Sequence, residues 1–221
     1  IKLKKSSRIV HFLVSLYHIA GLIVCLYSKT NLHQLLFIDH KYAKGLFFPI
    51  LIIISCLFYY LACTSPGFAT IDETPFIQDM EHYTYCSICN ITPPLRSVHC
   101  KKCGKCVLRR DHHCPWLGIC VGLKNHFFFV LYLFFDSITF FIFIRESYPV
   151  TKINDDSFIR WFFTSFLCAI ICAIGVFGFL QTIFLLPFHI FLALMNKTTW
   201  ESLKASKTPY LKEWYSSIGP F

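Results

Sequence analysis

Four long apolar segments constrain the fold of this 221-residue chain more than any other feature. They cover residues 9–27, 46–63, 127–144 and 161–195. Each segment is close to or longer than the roughly 20 residues that an α-helix needs to cross a bilayer. Because 55% of the residues are hydrophobic, the sequence excludes a soluble globular domain. We therefore expect an all-α polytopic membrane protein with four transmembrane helices.

The start of the chain has one property of a signal peptide, because four basic residues in 1–8 precede the first apolar segment. The apolar core of this segment is too long for a signal peptide, however, and no cleavage pattern of small residues follows it. We interpret the first segment as an uncleaved membrane-spanning helix.

Lys and Arg are distributed unevenly between the two membrane sides that four helices would define. Of the 21 such residues, 15 fall in 1–8, 63–126 and 196–221, and 6 fall in 28–45 and 145–160. The positive-inside rule then predicts that both termini and residues 63–126 are cytosolic. This topology accounts for the net charge of +9, so we predict no nucleic-acid binding.

The pattern divides the chain into four regions. They are an N-terminal segment with the first two helices (1–63), a cytosolic cysteine-rich domain (64–126), the third and fourth helices (127–195) and a cytosolic tail (196–221). Residues 28–45 are predicted to form a plain exofacial loop. The last apolar segment would be ~52 Å long as a helix, too long for one perpendicular crossing and too short for two helices with a loop. We expect a single long helix there.

Asp136 lies near the middle of the third apolar segment. An ionisable residue at that depth costs at least about 2.5–3.5 kcal/mol on insertion scales, so we expect it to face the other helices and to have a polar partner. The candidate partners are His11 and His18 on the first helix and Gln181 on the fourth.

Residues 86–120 contain seven of the twelve cysteines and three of the ten histidines. Since cytosolic thiols are kept reduced, the Cys-x2-Cys spacing in this segment favours metal binding over disulfides. A structural zinc ion takes four Cys or His ligands in a tetrahedron. Six of the cysteines with two of the histidines supply enough ligands for two closed zinc sites and leave one Cys and one His over. The six are Cys86, Cys89, Cys100, Cys103, Cys106 and Cys120.

Cys114 is the best candidate for the remaining cysteine, because His112 and His113 precede it and the rigid Pro115 follows it. A reactive cysteine needs a free thiolate beside a base, whereas a structural site saturates its thiolates. Asp111 is placed to fix the tautomer of a neighbouring imidazole. The spacing leaves open the alternative that Cys114 is a ninth ligand or a spare structural thiol.

Several motifs together resemble the DHHC (Asp-His-His-Cys) protein S-acyltransferases, or palmitoyltransferases. They are Pro-Leu-Arg-Ser-Val-His-Cys at 94–100, Cys103, Cys106, the signature Asp111-His112-His113-Cys114-Pro115-Trp116, Cys120-Val121-Gly122, Asn125, and Thr198-Thr199-Trp200-Glu201, which resembles that family's Thr-Thr-x-Glu motif. The resemblance covers the four-helix topology and residues 65–201.

The resemblance implies how the residues of the cysteine-rich domain divide. One zinc ion would be held by Cys86, Cys89, His99 and Cys106, and the other by Cys100, Cys103, His113 and Cys120. Cys114 would be the acylated nucleophile, His112 its general base and Asp111 the residue that orients His112. Thr198 and Thr199 of the tail would support this site, with Thr199 holding Asp111.

The chain departs from the family pattern at three places. The Asp-Pro-Gly that follows the second helix in the family is Ser65-Pro66-Gly67 here, and the Asn before the last zinc cysteine is Ile119. The Asn-x-Tyr-like element of the C-terminal region is not recognisable in residues 204–221. None of these positions is the nucleophile, its base or a metal ligand.

The resemblance implies an enzyme that moves a long-chain acyl group from an acyl-CoA such as palmitoyl-CoA, through a thioester on Cys114, to membrane-proximal cysteines of protein substrates. The competing interpretation is a membrane-anchored zinc-binding interaction module or a catalytically weak relative. We expect an integral multi-pass protein of the endoplasmic reticulum or Golgi with a cytosolic active site, and the sequence leaves room for an accessory subunit.

Five basic residues are candidates for binding the CoA phosphates, because cationic side chains make strong charge-assisted hydrogen bonds to phosphate oxygens. They are Arg96, Lys101, Lys102, Arg109 and Arg110. The alternative for each of them is a solvated or lipid-facing charge, and the pair Arg109-Arg110 also suits anionic headgroups.

Overall fold

The computed structural model describes residues 5–27, 31–71, 83–147 and 166–204. Helices dominate these ranges, and four short strands lie between the second and third of the long helices. The helices are α1 (Lys5–Tyr27), α2 (Asn31–His33), a π-helical segment (Gln34–Ile38), α3 (Tyr42–Gly45), α4 (Phe47–Ala62), α5 (His126–Ser147), α6 (Leu167–Leu194) and α7 (Thr199–Leu203). The strands are β1 (Val98–Cys100), β2 (Lys105–Val107), β3 (His112–Cys114) and β4 (Ile119–Val121).

Three of these helices are long and apolar enough to cross a membrane. Their candidate spans are Ile9–Leu26, His126–Glu146 and Ala169–Leu194. Helix α4 is also apolar but has 16 residues, about 24 Å at 1.5 Å per residue, which is shorter than the ~30 Å hydrocarbon core of a bilayer. The described residues therefore fit a membrane protein with three candidate spans, and the fourth crossing stays a prediction.

The last apolar segment folds as one continuous helix. Helix α6 has 28 residues and contains Pro187. The prediction of a single long helix is therefore confirmed for Leu167–Leu194. Residues 161–165, which the sequence also assigns to this helix, lie outside the described residues.

The prediction of a plain loop between α1 and α4 is wrong for its described part. Residues 31–45 form helical turns, namely α2, the π-helical segment and α3. Leu32 is buried, and His33 donates from Nδ1 to the carbonyl of Leu26 at 2.6 Å. The apolar residues among the polar ones in this stretch bury side chains against the neighbouring helices, which a loop would not do.

The chain divides into two compact units. A helical unit comprises the described residues of 9–60 and 130–188, and a cysteine-rich unit comprises those of 5–8, 61–129 and 189–204. The helical unit has its apolar core in a cluster of buried side chains from α1, α2, α4 and α5. The cluster consists of Cys25, Leu32, Phe48, Leu51, Ile52, Ile142 and Phe143.

Asp136 faces the interior of the helical unit and is 1% exposed. Ser55 donates to its Oδ1 at 2.7 Å, and His18 Nε2 lies 3.1 Å from the same oxygen. The other nitrogen of His18 lies 2.8 Å from the carbonyl of Val14. Because a carbonyl only accepts, that nitrogen carries a proton, and the His18–Asp136 contact holds a second proton between the two side chains. The prediction of an inward-facing Asp136 is confirmed, with His18 as its partner.

The cysteine-rich unit is built on two antiparallel hairpins, β1–β2 and β3–β4. Asn125 joins the second hairpin to the end of α4, and its side chain is completely buried. Its Nδ2 donates to the carbonyls of Ala62 at 2.7 Å and Cys120 at 3.0 Å, and its Oδ1 accepts from the N–H of Gly122 at 2.9 Å. A Cβ on Gly122 would lie 2.7 Å from the carbonyl oxygen of Pro66, so only glycine fits at this close approach.

Candidate active site

The hairpin β1–β2 places His99 opposite Cys106. Opposed residues of an antiparallel pair project from the same face, so both side chains meet Cys86 and Cys89 on that face. The Nδ1 atom of His99 lies 3.6 Å from Cys86 Sγ, 3.3 Å from Cys89 Sγ and 4.0 Å from Cys106 Sγ. All four donor atoms lie within 4.8 Å of one another.

The hairpin β3–β4 repeats this arrangement with His113 opposite Cys120. The Nδ1 atom of His113 lies 3.6 Å from Cys100 Sγ, 3.4 Å from Cys103 Sγ and 3.7 Å from Cys120 Sγ. Again all four donor atoms lie within 4.8 Å of one another. We call the two sets the first and second metal groups.

Both metal groups have the donors and spacing of a zinc site. With Zn–S bonds of ~2.3 Å and Zn–N bonds of ~2.0–2.1 Å, the donor atoms of a tetrahedral site lie about 3.5 Å apart. The imidazole-to-sulfur distances given above, from 3.3 to 4.0 Å, scatter around that value. The donors therefore fit zinc with little rearrangement.

Strand alternation explains why the two groups are interleaved in the sequence. Successive side chains of a strand point to opposite faces. His99 and Cys100 are neighbours in β1 and therefore belong to different metal groups. In β3 the same rule turns His113 towards the second metal group and leaves His112 and Cys114 on the other face. Cys114 is in neither group and is 4% exposed.

Asp111 orients the ring of His112. His112 Nδ1 donates to Asp111 Oδ2 at 2.7 Å, and the aspartate is buried. Thr199 donates to the same carboxylate twice, from its N–H to Oδ1 and from its hydroxyl to Oδ2, both at 2.7 Å. Thr199 thus fixes the carboxylate, and the Oδ2 atom also accepts the hydrogen bond from His112.

These contacts shift the titration of both groups. Burial alone would raise the pKa of Asp111, but the hydrogen bonds from His112 and Thr199 outweigh it and lower that pKa to about 2. Burial alone would lower the pKa of His112, but its hydrogen bonds to Asp111 and Cys114 raise it to about 9. His112 is therefore a stronger base than free imidazole and sits next to a fully ionised carboxylate at neutral pH.

Thr198 caps the short helix that carries Thr199. Its hydroxyl accepts from the N–H of Glu201 at 3.2 Å, and its own N–H donates to the Glu201 carboxylate at 2.9 Å. This reciprocal capping box fixes the first turn of α7. It thereby holds Thr199 where its N–H and hydroxyl donate to Asp111.

Arg96 connects the cysteine-rich segment to the tail. Its guanidinium donates to both carboxylate oxygens of Glu201, at 2.6 and 2.8 Å, and to the backbone carbonyl and side chain of Asn196, at 2.7 and 3.2 Å. The side chain of Glu201 is 1% exposed, so this is a buried bidentate ion pair. All three nitrogens of Arg96 are therefore engaged within the fold, which leaves this residue the weakest of the five candidates for binding CoA phosphates.

The other four basic candidates are placed differently from one another. Lys101 and Lys102 are exposed in the turn between β1 and β2. Arg109 donates from Nη2 to the side chain of Asn196 at 2.6 Å, and Arg110 is half-buried beside it in the chain. The structure therefore places Lys101 and Lys102 at the surface and brings Arg109 into contact with the tail.

Two histidines near Asp111 were missed by the sequence reasoning. His189 of α6 packs against His112 and against Phe129, with ring centroids 5.6 and 5.0 Å apart, and it also lies beside His126 at 5.6 Å. His126 lies at the start of α5, and His189 lies in an apolar segment that indicated only a membrane helix. A histidine near the end of an apolar segment could have indicated a functional residue, because ionisable side chains are rare in such segments. The structure shows that His189 is buried.

Two departures from the family pattern have local structural substitutes. The hydroxyl of Ser65 accepts from the N–H of Gly67 at 3.3 Å, and Gly67 turns the chain with a φ of 85°. Ile119 is buried in β4 opposite Cys114 and contributes to the hairpin by packing. Most of the third departure, at 204–221, lies outside the described residues.

Comparison with known proteins gives a consistent result over the same residues. The family model described as DHHC palmitoyltransferase matches residues 79–206. This range includes both metal groups, the Asp111–Cys114 signature and the tail contact through Thr199.

Individual relatives with similar sequences are named as palmitoyltransferases. Putative ZDHHC-type palmitoyltransferase 7 of Dictyostelium discoideum is 37% identical over 148 residues, covering 66% of this chain and 33% of that protein. Palmitoyltransferase ERF2 of Kluyveromyces lactis is 31% identical over 180 residues, covering 70% and 49%. Palmitoyltransferase ZDHHC13 of Homo sapiens is 30% identical over 174 residues, covering 68% and 27%. The matches thus span half or less of the length of these relatives.

Proposed function

This chain belongs to the DHHC palmitoyltransferase family, and we propose that it is a protein S-acyltransferase that moves a long-chain acyl group from acyl-CoA to cysteines of protein substrates. The observation that carries the proposal is the set Cys114, His112, Asp111 and Thr199. Strand alternation keeps Cys114 out of both metal groups, and the hydrogen bonds of Asp111 hold a raised-pKa imidazole beside it.

Before the first step, the proton of the Cys114 thiol has passed to His112, whose pKa of about 9 keeps it there at neutral pH. In the first step, the Cys114 sulfur attacks the thioester carbonyl of acyl-CoA. A C–S bond to Cys114 forms as the C–S bond to CoA breaks. The proton held by His112 goes to the CoA thiolate. The first product is therefore an acyl thioester on Cys114 with free CoA.

In the second step, the thiolate of a substrate cysteine attacks the carbonyl on Cys114. The new thioester forms on the substrate, and the sulfur of Cys114 leaves and is reprotonated through His112 with the proton of the substrate thiol. One thioester replaces another in both steps, so the reaction is nearly balanced in free energy. Catalysis then depends on an activated thiolate and on positioning.

Asp111 and Thr199 act on His112 and not on the acyl group. The ionised carboxylate stabilises the imidazolium that forms when His112 takes a proton, and it keeps Nε2 free to face Cys114. Thr199 and, through the helix cap, Thr198 hold that carboxylate in place. We regard Asp111, Thr198 and Thr199 as positioning residues.

The two metal groups are proposed as structural zinc sites. The first would use Cys86, Cys89, His99 and Cys106, and the second would use Cys100, Cys103, His113 and Cys120. Bound zinc would supply rigidity to two short hairpins that lack a large apolar core. The bound ions would thereby hold β3, which carries His112 and Cys114, in its register with β4.

We propose Lys101, Lys102, Arg109 and Arg110 as contacts for the CoA phosphates, with Arg96 assigned to tail docking instead. Charge-assisted hydrogen bonds to phosphate oxygens favour such residues next to the acyl-transfer site. Their positions support the assignment, because Lys101 and Lys102 precede β2 and Arg109 and Arg110 lie in the short link from β2 to β3.

We propose that four helices cross the membrane and that the regions 64–126 and 196–221 are cytosolic, on the basis of the Lys and Arg distribution. At ~0.8 kcal/mol per buried CH2, moving a palmitoyl chain out of water is favourable by on the order of 11 kcal/mol. An enzyme embedded in the membrane would provide the apolar surroundings for this chain. The substrates would then be proteins with cysteines near the cytosolic membrane surface. An interaction module is the weaker alternative, because such a module needs neither a free Cys114 nor an oriented His112.

The proposal is tested by transfer from labelled palmitoyl-CoA to a lipid-anchored peptide with one cysteine, using the full chain in vesicles. We expect label on the peptide cysteine with the wild type and with the control Cys56→Ser, and none with Cys114→Ser. Equal transfer by the Cys114→Ser variant, or no transfer by a wild type that retains its two zinc ions, would defeat the proposal.

A further inference from the structure

A third set of donor side chains lies next to the candidate active site, and the proposed reaction does not use it to bind a metal. Asp111, His126 and His189 bring a carboxylate oxygen and two imidazole nitrogens within 4.8 Å of one another. We propose that these residues form a third metal site, which takes zinc or a similar divalent transition metal reversibly and stops acyl transfer when it is filled.

Two of the three residues are buried, and the third, His126, is partly buried. Asp111 and His189 are each 2% exposed. The Nε2 atom of His126 is buried and has no hydrogen-bond partner among the described residues. A buried polar atom without a partner costs about 1–3 kcal/mol. We assign this nitrogen as the ligand of His126, because a metal ion bound there would remove that cost.

The carboxylate of Asp111 has an unused lone-pair site on Oδ1. Its Oδ2 accepts two hydrogen bonds, from His112 Nδ1 and the Thr199 hydroxyl, whereas Oδ1 accepts one, from the Thr199 N–H. A carboxylate oxygen has two lone-pair sites. Oδ1 is therefore able to bind a metal ion without the loss of an existing hydrogen bond.

The donor set indicates the kind of metal. Two imidazole nitrogens and one carboxylate oxygen are typical of a zinc site with an open fourth position, which water fills. At bond lengths of ~2.0–2.2 Å the donors would lie about 3.4 Å apart, and none of them is now more than 4.8 Å from another, so a small closure suffices to load the site. A cavity of about 180 Å³ that Asp111 and His126 line provides room for the water and a route for the ion.

The charges around the third site indicate that its metal ion exchanges. Arg109 and Lys197 line the same cavity, and their positive charges oppose a divalent cation. The site also lacks the thiolates that make the two metal groups strong zinc ligands. We therefore assign an exchangeable ion to this site and structural ions to the two metal groups.

Occupation would act on the reaction through Asp111 and His189. His112 donates to Asp111 at 2.7 Å, and its ring packs on the ring of His189 at 5.6 Å. An ion that draws Asp111 and His189 together would move both groups that orient His112. The ring would then no longer face Cys114, and acyl transfer would stop. This consequence rests on the proposed function, whereas metal binding by the three residues does not.

The binding claim is tested by metal stoichiometry on the full chain in detergent. Protein that holds two zinc ions after washing with a weak chelator is dialysed against added zinc, and metal per chain is measured by elemental analysis. We expect one additional ion for the wild type and for the control His33→Gln. We expect no additional ion for His126→Gln or His189→Gln, each of which keeps the first two ions.

Added cobalt gives an independent readout, because Co²⁺ bound by nitrogen and oxygen lacks the intense sulfur-to-cobalt charge-transfer band. A wild type that binds no third ion overturns the proposal, as does a third ion retained by both variants or a cobalt spectrum with the thiolate band. If His189→Gln does not retain two zinc ions, the His126→Gln result decides, because this residue lies at a helix end.

The inhibition claim has its own measurement. We expect added zinc to stop formation of the Cys114 thioester in the wild type, and the half-inhibitory concentration to rise at least tenfold in His126→Gln. Equal inhibition of both proteins overturns this part. A wild type without acyl transfer defeats the proposed function, and the stoichiometry then still tests the site by itself.

Discussion

Thr199 donates to both oxygens of Asp111, from its N–H to Oδ1 and from its hydroxyl to Oδ2, and both hydrogen bonds are 2.7 Å long. The two residues are 88 positions apart in the sequence. The tail is thus part of the candidate active site, because it fixes the carboxylate that orients His112.

Thr199→Val tests this contact, because it removes the hydroxyl bond and keeps the N–H bond. A hydrogen bond to a charged group contributes about 1.5–3 kcal/mol, so we expect formation of the Cys114 thioester to slow by about ten- to a hundredfold. Thr199→Ser keeps the hydroxyl and should react at close to the wild-type rate. A Val variant as fast as the Ser variant would show that the hydroxyl contact is not needed.

The pH dependence of thioester formation tests the coupling of Asp111 to His112. The pKa of His112 is raised to about 9, so its proton is available for the CoA thiolate up to that pH and is lost above it. We expect the wild-type rate to fall as pH rises through about 9. In Asp111→Asn the main cause of the raised pKa is gone and burial lowers it, so the fall should begin at lower pH. Coincident profiles for the two proteins, after correction for uncatalysed hydrolysis, would contradict this coupling.

Arg96→Lys tests tail docking. Lysine keeps the charge but cannot form the two parallel hydrogen bonds to Glu201, so we expect faster hydrogen exchange in α7 and slower thioester formation. Lys124→Gln, at an exposed position, serves as the control. Unchanged exchange in α7 would show that the ion pair does not hold the tail.

Asp136→Leu tests the buried polar contact in the helical unit. The substitution leaves His18 Nε2 and the Ser55 hydroxyl without their shared acceptor, at a cost of about 1–3 kcal/mol for each unsatisfied group. We expect a lower midpoint of thermal unfolding in detergent. The double variant His18→Leu with Asp136→Leu should recover part of the loss, because both polar partners are then removed. A wild-type midpoint for Asp136→Leu would rule out a stabilising role.

Sequence reasoning succeeded where the signal is local. The Cys-x2-Cys pairs predicted metal ligands because two donors in one tight turn suit a single ion. Asp136 was predicted to face inward because an exposed charge in hydrocarbon is costly, and the structure pairs it with His18. The single helix over Leu167–Leu194 followed from length alone.

Long-range contacts were beyond the sequence. The division of His99 and Cys100 between two metal groups follows from strand alternation, but only once β1 and its register are known. Nothing local to Arg96 indicates a partner 105 residues away. Residues 31–45 form helical turns, although their many polar residues predicted a loop. These turns bury their apolar side chains against other helices, and such contacts are not visible in the local sequence.

The intact mass of the full chain after one exposure to palmitoyl-CoA tests the central claim most directly. We predict a gain of one palmitoyl group on the wild type, mapped by fragmentation to Cys114 and removed by hydroxylamine, with no gain on Cys114→Ser. A palmitoyl group on a different cysteine, or an unmodified wild type that holds both zinc ions, would contradict the account.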